Sequence, residues 1–368
     1  MTDTRTAAGA TPEDTPPAAP PITSARPRPR RPQHWAGRGF RNPAVGCALG
    51  VLVLLLACAA SLLLGSRDLS VTQVVAALTG HGTPETAVVT DLRLPRTITG
   101  LAAGLAFSLA GVLMQALTRN PLAEPGLLGV NAGSAFAIAI AAGVFGFGSS
   151  AAFLPFAFGG ALLASLLVLA VGGVLGRGAV PARLVLAGVS FGAVLHGVTS
   201  MIVLADPAAF DAMRAWQAGS LERSRWHELA PVAPGLALAV VVTLLLARPL
   251  NALALGEESA RGLGVRTGTL RVLALLCVTV LAGSGTALAG PIGFVGLVVP
   301  LVARSFMGPE YRSVALLSLL MGPALVILAD VLGRLVLPTG ELPVGIVMGF
   351  VGAPVLVWLA RRTEVAKL

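Results

Sequence analysis

The sequence predicts an all-α membrane protein with about ten transmembrane helices. Three observations point there. The chain is 55% hydrophobic and 12% charged, with a mean hydropathy of +0.84 over 368 residues. Apolar runs long enough to cross hydrocarbon, about 20 residues each, recur along it. The arginines gather in short clusters between those runs. A chain this apolar cannot solvate the surface of a soluble domain. Its formal charge of +9 does not form a basic stripe interleaved with aromatics, so lipid rather than nucleic acid is the expected surrounding. Cys47, Cys58 and Cys277 lie inside apolar runs without metal-ligand spacing and are expected to pack.

Residues 1–43 are rich in Pro, Ala, Thr and Arg and bury too little apolar surface to fold, which predicts a disordered cytoplasmic tail. Residues 44–362 form the polytopic domain, and 363–368 a short cytoplasmic C-terminus. Leu55-Leu56-Ala57-Cys58 resembles a lipoprotein processing site, but a long polar stretch precedes it and many spans follow, so the first run is an uncleaved span.

Length divides the chain into spans at 44–64, 95–117, 130–146, 151–175, 184–204, 229–247, 269–288, 292–306, 313–335 and 343–360, the third and eighth short and glycine-rich. The loops 65–94 and 205–228 are long enough for short amphipathic helices, the second placing Trp216 and Trp226 at an interface. Segment 250–268 alternates charged, helix-favouring residues with Gly256, Gly262 and Gly264, which predicts one or two short surface helices.

Orientation follows from the cations. With both termini cytoplasmic, most loop arginines, among them Arg119, Arg183, Arg248, Arg266 and Arg304, fall inside. Arg67, Arg93, Arg96, Arg214, Arg223, Arg225 and Arg334 fall outside, against that trend.

Walker A needs GxxxxGK[ST], and the chain's one lysine is Lys367, so any ATP must be hydrolysed by a separate chain. A hydrolase elbow and a zinc helix are also missing from the sequence; the protein is expected to be no enzyme and to bind no cofactor. Coupled carriers keep ionisable residues at mid-membrane, and here the apolar runs are nearly free of charge. Gly100, Gly104 and Ser108 form a small-residue stripe for close helix packing. Gln115 on the same helix either lines a polar path or bonds a neighbouring helix. His196 in the fifth span either bonds a neighbouring helix as a neutral imidazole or lines a pore.

Seven blocks in order resemble the FecCD-type (BtuC-like) ABC importer permeases of iron-siderophore and cobalamin uptake. They are RLPRTITGLAAG (93–104), LTRNPLAEPGLLGVNAG (117–133), LVLAGV (184–189), WQAGSL (216–221), LALGEESARGLGV (253–265), GPIGFVGLVVP (290–300), and GELPVGIV (340–347) with GAP (352–354). Any one block is weak; together they cover the chain from about residue 90 onward. Their prolines and glycines also make local sense, stopping helices at 120–126 and breaking the chain at 290–293.

The resemblance implies a type II importer permease fold in the bacterial plasma membrane. It also implies a second permease subunit, identical or paralogous, two ATPase subunits that use ATP and Mg, and an extracytoplasmic binding protein, lipoprotein or periplasmic. It implies that Gly256, Glu257, Glu258, Arg261, Gly262 and Gly264 couple to the ATPase, that Ala179, Val180 and Pro181 lie near an inner gate, and that Arg93, Arg96 and Arg334 receive carboxylates of the binding protein. The expected cargo is a ferric siderophore, with cobalamin or haem as alternatives. Leu301 stands where many members have histidine.

Overall fold

The computed structural model of the protein describes residues 2, 43–65, 69–83, 86–173, 181–337 and 339–362. The helices there are α1 (Pro43–Leu63), α2 (Val71–Leu78), α3 (Leu94–Thr118), α4 (Val130–Gly143), α5 (Ser150–Val171), α6 (Pro181–Ala205), α7 (Pro207–Gln217), α8 (Trp226–Ala254), α9 (Glu257–Gly262), α10 (Thr267–Ala289), α11 (Val295–Met307), α12 (Tyr311–Val336) and α13 (Val344–Arg362). Seven stretches, at α1, α3, α5, α6, α8, α10 and α12, are long and apolar enough to cross a membrane, and α4, α11 and α13 are shorter apolar helices. These ten fall on the ten expected spans. α2 and α7 occupy the two long loops and α9 the 250–268 segment, so the small elements also follow expectation.

The spine is α3, α10 and α12, most of whose spanning windows are buried, whereas little of α1, α6 or α8 is. Small residues set the spacing. Along α3, Gly100 faces Ile327 and Leu221, and Ser108 Oγ donates to the Ser318 carbonyl at 2.9 Å. A methyl on Gly111 would overlap the Gly296 carbonyl oxygen, so α11 can approach α3 only because both positions lack a side chain. The same device joins α4 to α5 where Gly133 meets Gly160, beside Ser134 Oγ donating to the Ala157 carbonyl at 2.8 Å.

Two helix breaks meet inside this packing. After Ala289 the chain turns through Gly290 (φ 73°) and Phe294 (φ 68°) before α11 starts. A left-handed phenylalanine costs about 1–3 kcal/mol and persists only where its surroundings fix it. Its side chain packs on Gly352, and its amide N–H donates to the carboxylate of Glu124, which sits in the other break, between α3 and α4. Burial pushes the Glu124 carboxyl up, and that hydrogen bond opposes the shift in part.

Successive helices alternate direction, which leaves two faces. One holds α2, α7 and the α12–α13 connection; the other holds α9 together with the start of α1 and the end of α13. Of the expected inner gate, Ala179 and Val180 lie outside the described residues, and Pro181 is described only as the first residue of α6. The expected tail (1–43) and C-terminus (363–368) lie outside them too, apart from residues 2 and 43.

Candidate functional site

On the α2/α7 face the structure brings Arg93, Arg96 and Arg334 together, but not in water. Sequence reasoning places their heads at an interface; the structure buries Arg93 and Arg334 and leaves Arg96 only 12% exposed. The reason is two carboxylates and a helix end that sequence spacing does not reveal. Arg96 Nε donates to both oxygens of Asp330 at 3.1 and 3.0 Å, and Nη2 donates at 2.8 Å. Arg334 donates to the same carboxylate through Nε at 3.0 Å and through Nη2. Arg96 Nη1 lies 2.7 Å from Glu341 Oε2.

The remaining donors close the end of α1. Arg93 Nη1 reaches the carbonyls of Leu62 and Leu63 at 2.7 and 2.9 Å, and Arg334 Nη1 reaches that of Ser61 at 3.0 Å. The last carbonyls of a helix have no partner within it and sit at its negative pole, so two guanidinium groups satisfy them both by hydrogen bond and by charge. This accounts for three of the seven arginines that run against the positive-inside trend: Arg93, Arg96 and Arg334 join α1, α3 and α12.

Beside this cluster is a cavity of about 310 Å³ between α5, α7, the start of α8 and the end of α10. Phe153 and Ala157 form its apolar wall, Arg214, Arg223 and Glu228 bring charge, and Pro343 of the α12–α13 connection closes one side. Backbone bonds fix that side: Leu342 N–H donates to the Gly333 carbonyl at 2.9 Å and Gly345 N–H to that of Gly219 at 3.0 Å.

On the opposite face α9 begins after Gly256 (φ 115°), a conformation that favours glycine. Glu258, Arg261, Gly262 and Gly264 are exposed, flanked by exposed Leu255 and Leu263. Glu257 turns back instead, pairing with Arg261 at 2.6 Å and with Arg271 of α10 at 2.9 Å. Burial pushes the Glu257 carboxyl up, but Arg271 and then Arg261 more than offset it and hold it below the usual range. Around this helix Arg119 Nη2 donates to the Leu253 carbonyl at 3.0 Å, and the Tyr311 N–H to Asn251 Oδ1 at 2.8 Å. The sequence places Arg119 and Arg271 among the inner cations without indicating their partners, and Asn251 carries no signal of its own.

Gln115 is enclosed, its Nε2 donating to the Leu297 carbonyl of α11 at 3.2 Å. His196 is exposed on α6 rather than bonded into a neighbouring helix, among exposed Val194, Val198 and Met201. Leu301 is buried in α11, and Arg304 lies over the Tyr311 ring, 4.8 Å from its centre.

The profile of the FecCD transport family matches residues 53–362. The chain belongs to the FecCD family. The ferric enterobactin transport system permease of Escherichia coli is 48% identical over 313 residues, covering 85% of this chain and 93% of that protein. The Fe(3+) dicitrate transport system permease of the same organism is 39% identical over 292 residues, covering 78% and 87%. A solved metal-chelate type ABC transporter in an inward-facing conformation superimposes with a TM-score of 0.75 at 28% identity, covering 87% of this chain and all (100%) of that one. This FecCD protein is thus a multi-pass ABC transporter permease of the iron-siderophore transport class, with the all-helical fold expected from its sequence.

Proposed function

We propose that the chain is the membrane-spanning subunit of an ATP-driven importer that takes up a ferric siderophore delivered by an extracytoplasmic binding protein. The observation that supports this best is the 48% identity to a ferric enterobactin permease, which extends over 85% of the chain rather than over one motif. Two copies, or this chain and a paralogue, enclose the pathway, and two separate ATPase subunits power it. The α9 face is cytoplasmic by the positive-inside rule, and both termini lie there.

The exposed part of α9 supports the ATPase contact. Leu255 and Leu263 offer exposed apolar surface beside the charged Glu258 and Arg261, so both kinds of group that protein contacts use are present on this face. Glu257 takes a different part, holding α9 on α10. The binding protein docks on the α2/α7 face, where Arg214, Arg223 and Arg225 are exposed. Of the three arginines expected there, Arg96 alone is within reach of a partner. His196, exposed on a helix of which little is buried in its own subunit, faces the pathway.

The test is reconstitution with the ATPase and binding protein, mass-spectrometric identification of the bound chelate, and iron uptake into proteoliposomes. Glu258→Ala with Arg261→Ala should lower ATPase co-purification or uncouple hydrolysis from uptake while leaving membrane insertion intact. Wild-type uptake and stimulated hydrolysis in that variant would remove α9 from the coupling role.

A further inference from the structure

The buried cluster on the α2/α7 face holds three guanidinium groups, of Arg93, Arg96 and Arg334, against two carboxylates, and the two carboxylates are held very differently. Asp330 is 2% exposed and takes three hydrogen bonds from Arg96 alone. Glu341 is 27% exposed and makes one close contact, to Arg96 Nη1. Exposure rises outward in order: Asp330 and Arg334 at 2% and 3%, Arg96 at 12%, Glu341 at 27%. Arg96 is therefore anchored from within by Asp330, while its outer side is covered by one carboxylate on a connecting segment.

We infer that Glu341 is an exchangeable occupant of Arg96, displaced by an acidic side chain of the docked extracytoplasmic protein, and that its departure loosens residues 339–341 at the edge of the cavity wall. The inference rests on the importer reading above and adds a regulatory step to it. The exchange is cheap because the number of ion pairs is conserved: Arg96 keeps a carboxylate, and Glu341 regains water. Approach without exchange is unfavourable, since an incoming carboxylate would meet Glu341 and Asp330 in the same few ångströms. The mechanical consequence follows from the chain. Glu341 is two residues before Pro343, which closes the cavity, and follows the exposed Thr339 and Gly340 (φ 81°). With Glu341 released, the Leu342 and Gly345 amide bonds and the packing of Leu342 and Val344 in the core still hold the wall, so the exposed stretch before them is what loosens.

The sign of one substitution separates exchange from a merely structural tie. Glu341→Gln removes the internal competitor, so the complex should dock the binding protein about three- to tenfold more tightly at low salt, with the gain shrinking at high salt. A spin label at Thr339 should become more mobile before docking. Glu341→Asp, which keeps the charge, should dock within about twofold of wild type, and Arg96→Gln should dock more weakly than wild type. The measurement is docking affinity in the reconstituted complex, using the binding protein identified by the reconstitution and complexes that retain ATP hydrolysis. Docking by Glu341→Gln that is unchanged or weaker overturns the exchange. If Arg96→Gln is also without effect while wild type docks, docking uses other residues and the importer reading stands; if wild type does not dock a binding protein at all, the importer reading itself fails.

Discussion

Replacing Asp330 by asparagine should destabilise the protein far more than replacing Glu341 by glutamine. The side chain is 2% exposed, accepts hydrogen bonds from both Arg96 and Arg334, and is isosteric with asparagine, so the change creates no cavity. What remains is two buried guanidinium groups facing an amide that can accept from one and must direct N–H toward the other. Removing one partner of a buried ion pair costs about 3–5 kcal/mol. Glu341→Gln, at 27% exposure with one contact, should cost no more than about 1 kcal/mol. The assay is recovery of monodisperse detergent-solubilised protein after a series of heat steps. Asp330→Asn should lose its folded fraction well before Glu341→Gln, which should stay near wild type. Adding Arg334→Gln should destabilise Asp330→Asn by less than Arg334→Gln destabilises wild type, because it removes one of the stranded cations. Equal stability of Asp330→Asn and wild type, or strictly additive losses, would refute Asp330 as the hub.

Two further outcomes follow from the packing and from α9. Gly111→Ala places a methyl on the Gly296 carbonyl and should sharply reduce folded protein in the membrane, whereas Gly235→Ala, whose methyl would lie 3.9 Å from Val280, should be tolerated; equal abundance of the two variants on immunoblots of washed membranes would contradict the contact. The Glu257 carboxyl is held below its ordinary value, so the stability it contributes is complete above the unfolded pKa of about 4.3 and lost as pH falls through the lower folded value. A spin label at Ser259 should keep constant mobility from neutrality to about pH 5 and loosen only at more acidic pH, while Glu257→Gln should be loose throughout; a transition above that range would count against the pin.

The ten spans were legible because membrane thickness imposes a length that a one-dimensional pattern can show, and glycine and proline mark where it is interrupted. The partners of the outward arginines were not legible. Arg96 and Asp330 are 234 positions apart, Arg334 and Ser61 are 273 apart, and nothing local in either neighbourhood signals the other. A positive-inside argument identifies such arginines as exceptions but is silent on whether water, lipid or a buried carboxylate explains them. Asp330 also qualifies the expectation of spans nearly free of charge: it is tolerated in α12 because two arginines enclose it. Segment 250–268 was legible as a surface helix, while the inward turn of Glu257 was not, since Glu257 and Glu258 are equivalent until the position of α10 is known.

The two faces are joined by a helix that is buried along most of its length. α10 begins beside Glu257, through Arg271, and ends at Ala289 and Gly290 in the cavity wall. At 23 residues it spans about 35 Å. It packs on α3, where Gly285 touches the Phe107 ring, and a helix buried along most of its length cannot bend to absorb a displacement at one end. α10 thus links Glu257 to the cavity wall through one packed helix. The connection 339–343 is different in kind: short, exposed at Thr339 and Gly340, held by the Leu342 amide at its inner end and by the Arg96–Glu341 ion pair at its outer one. For an importer of the kind proposed above, driven by ATP on one face and by a loaded partner on the other, the two connections differ in what they offer: a packed helix toward α9, and a short segment whose outer ion pair is open to exchange.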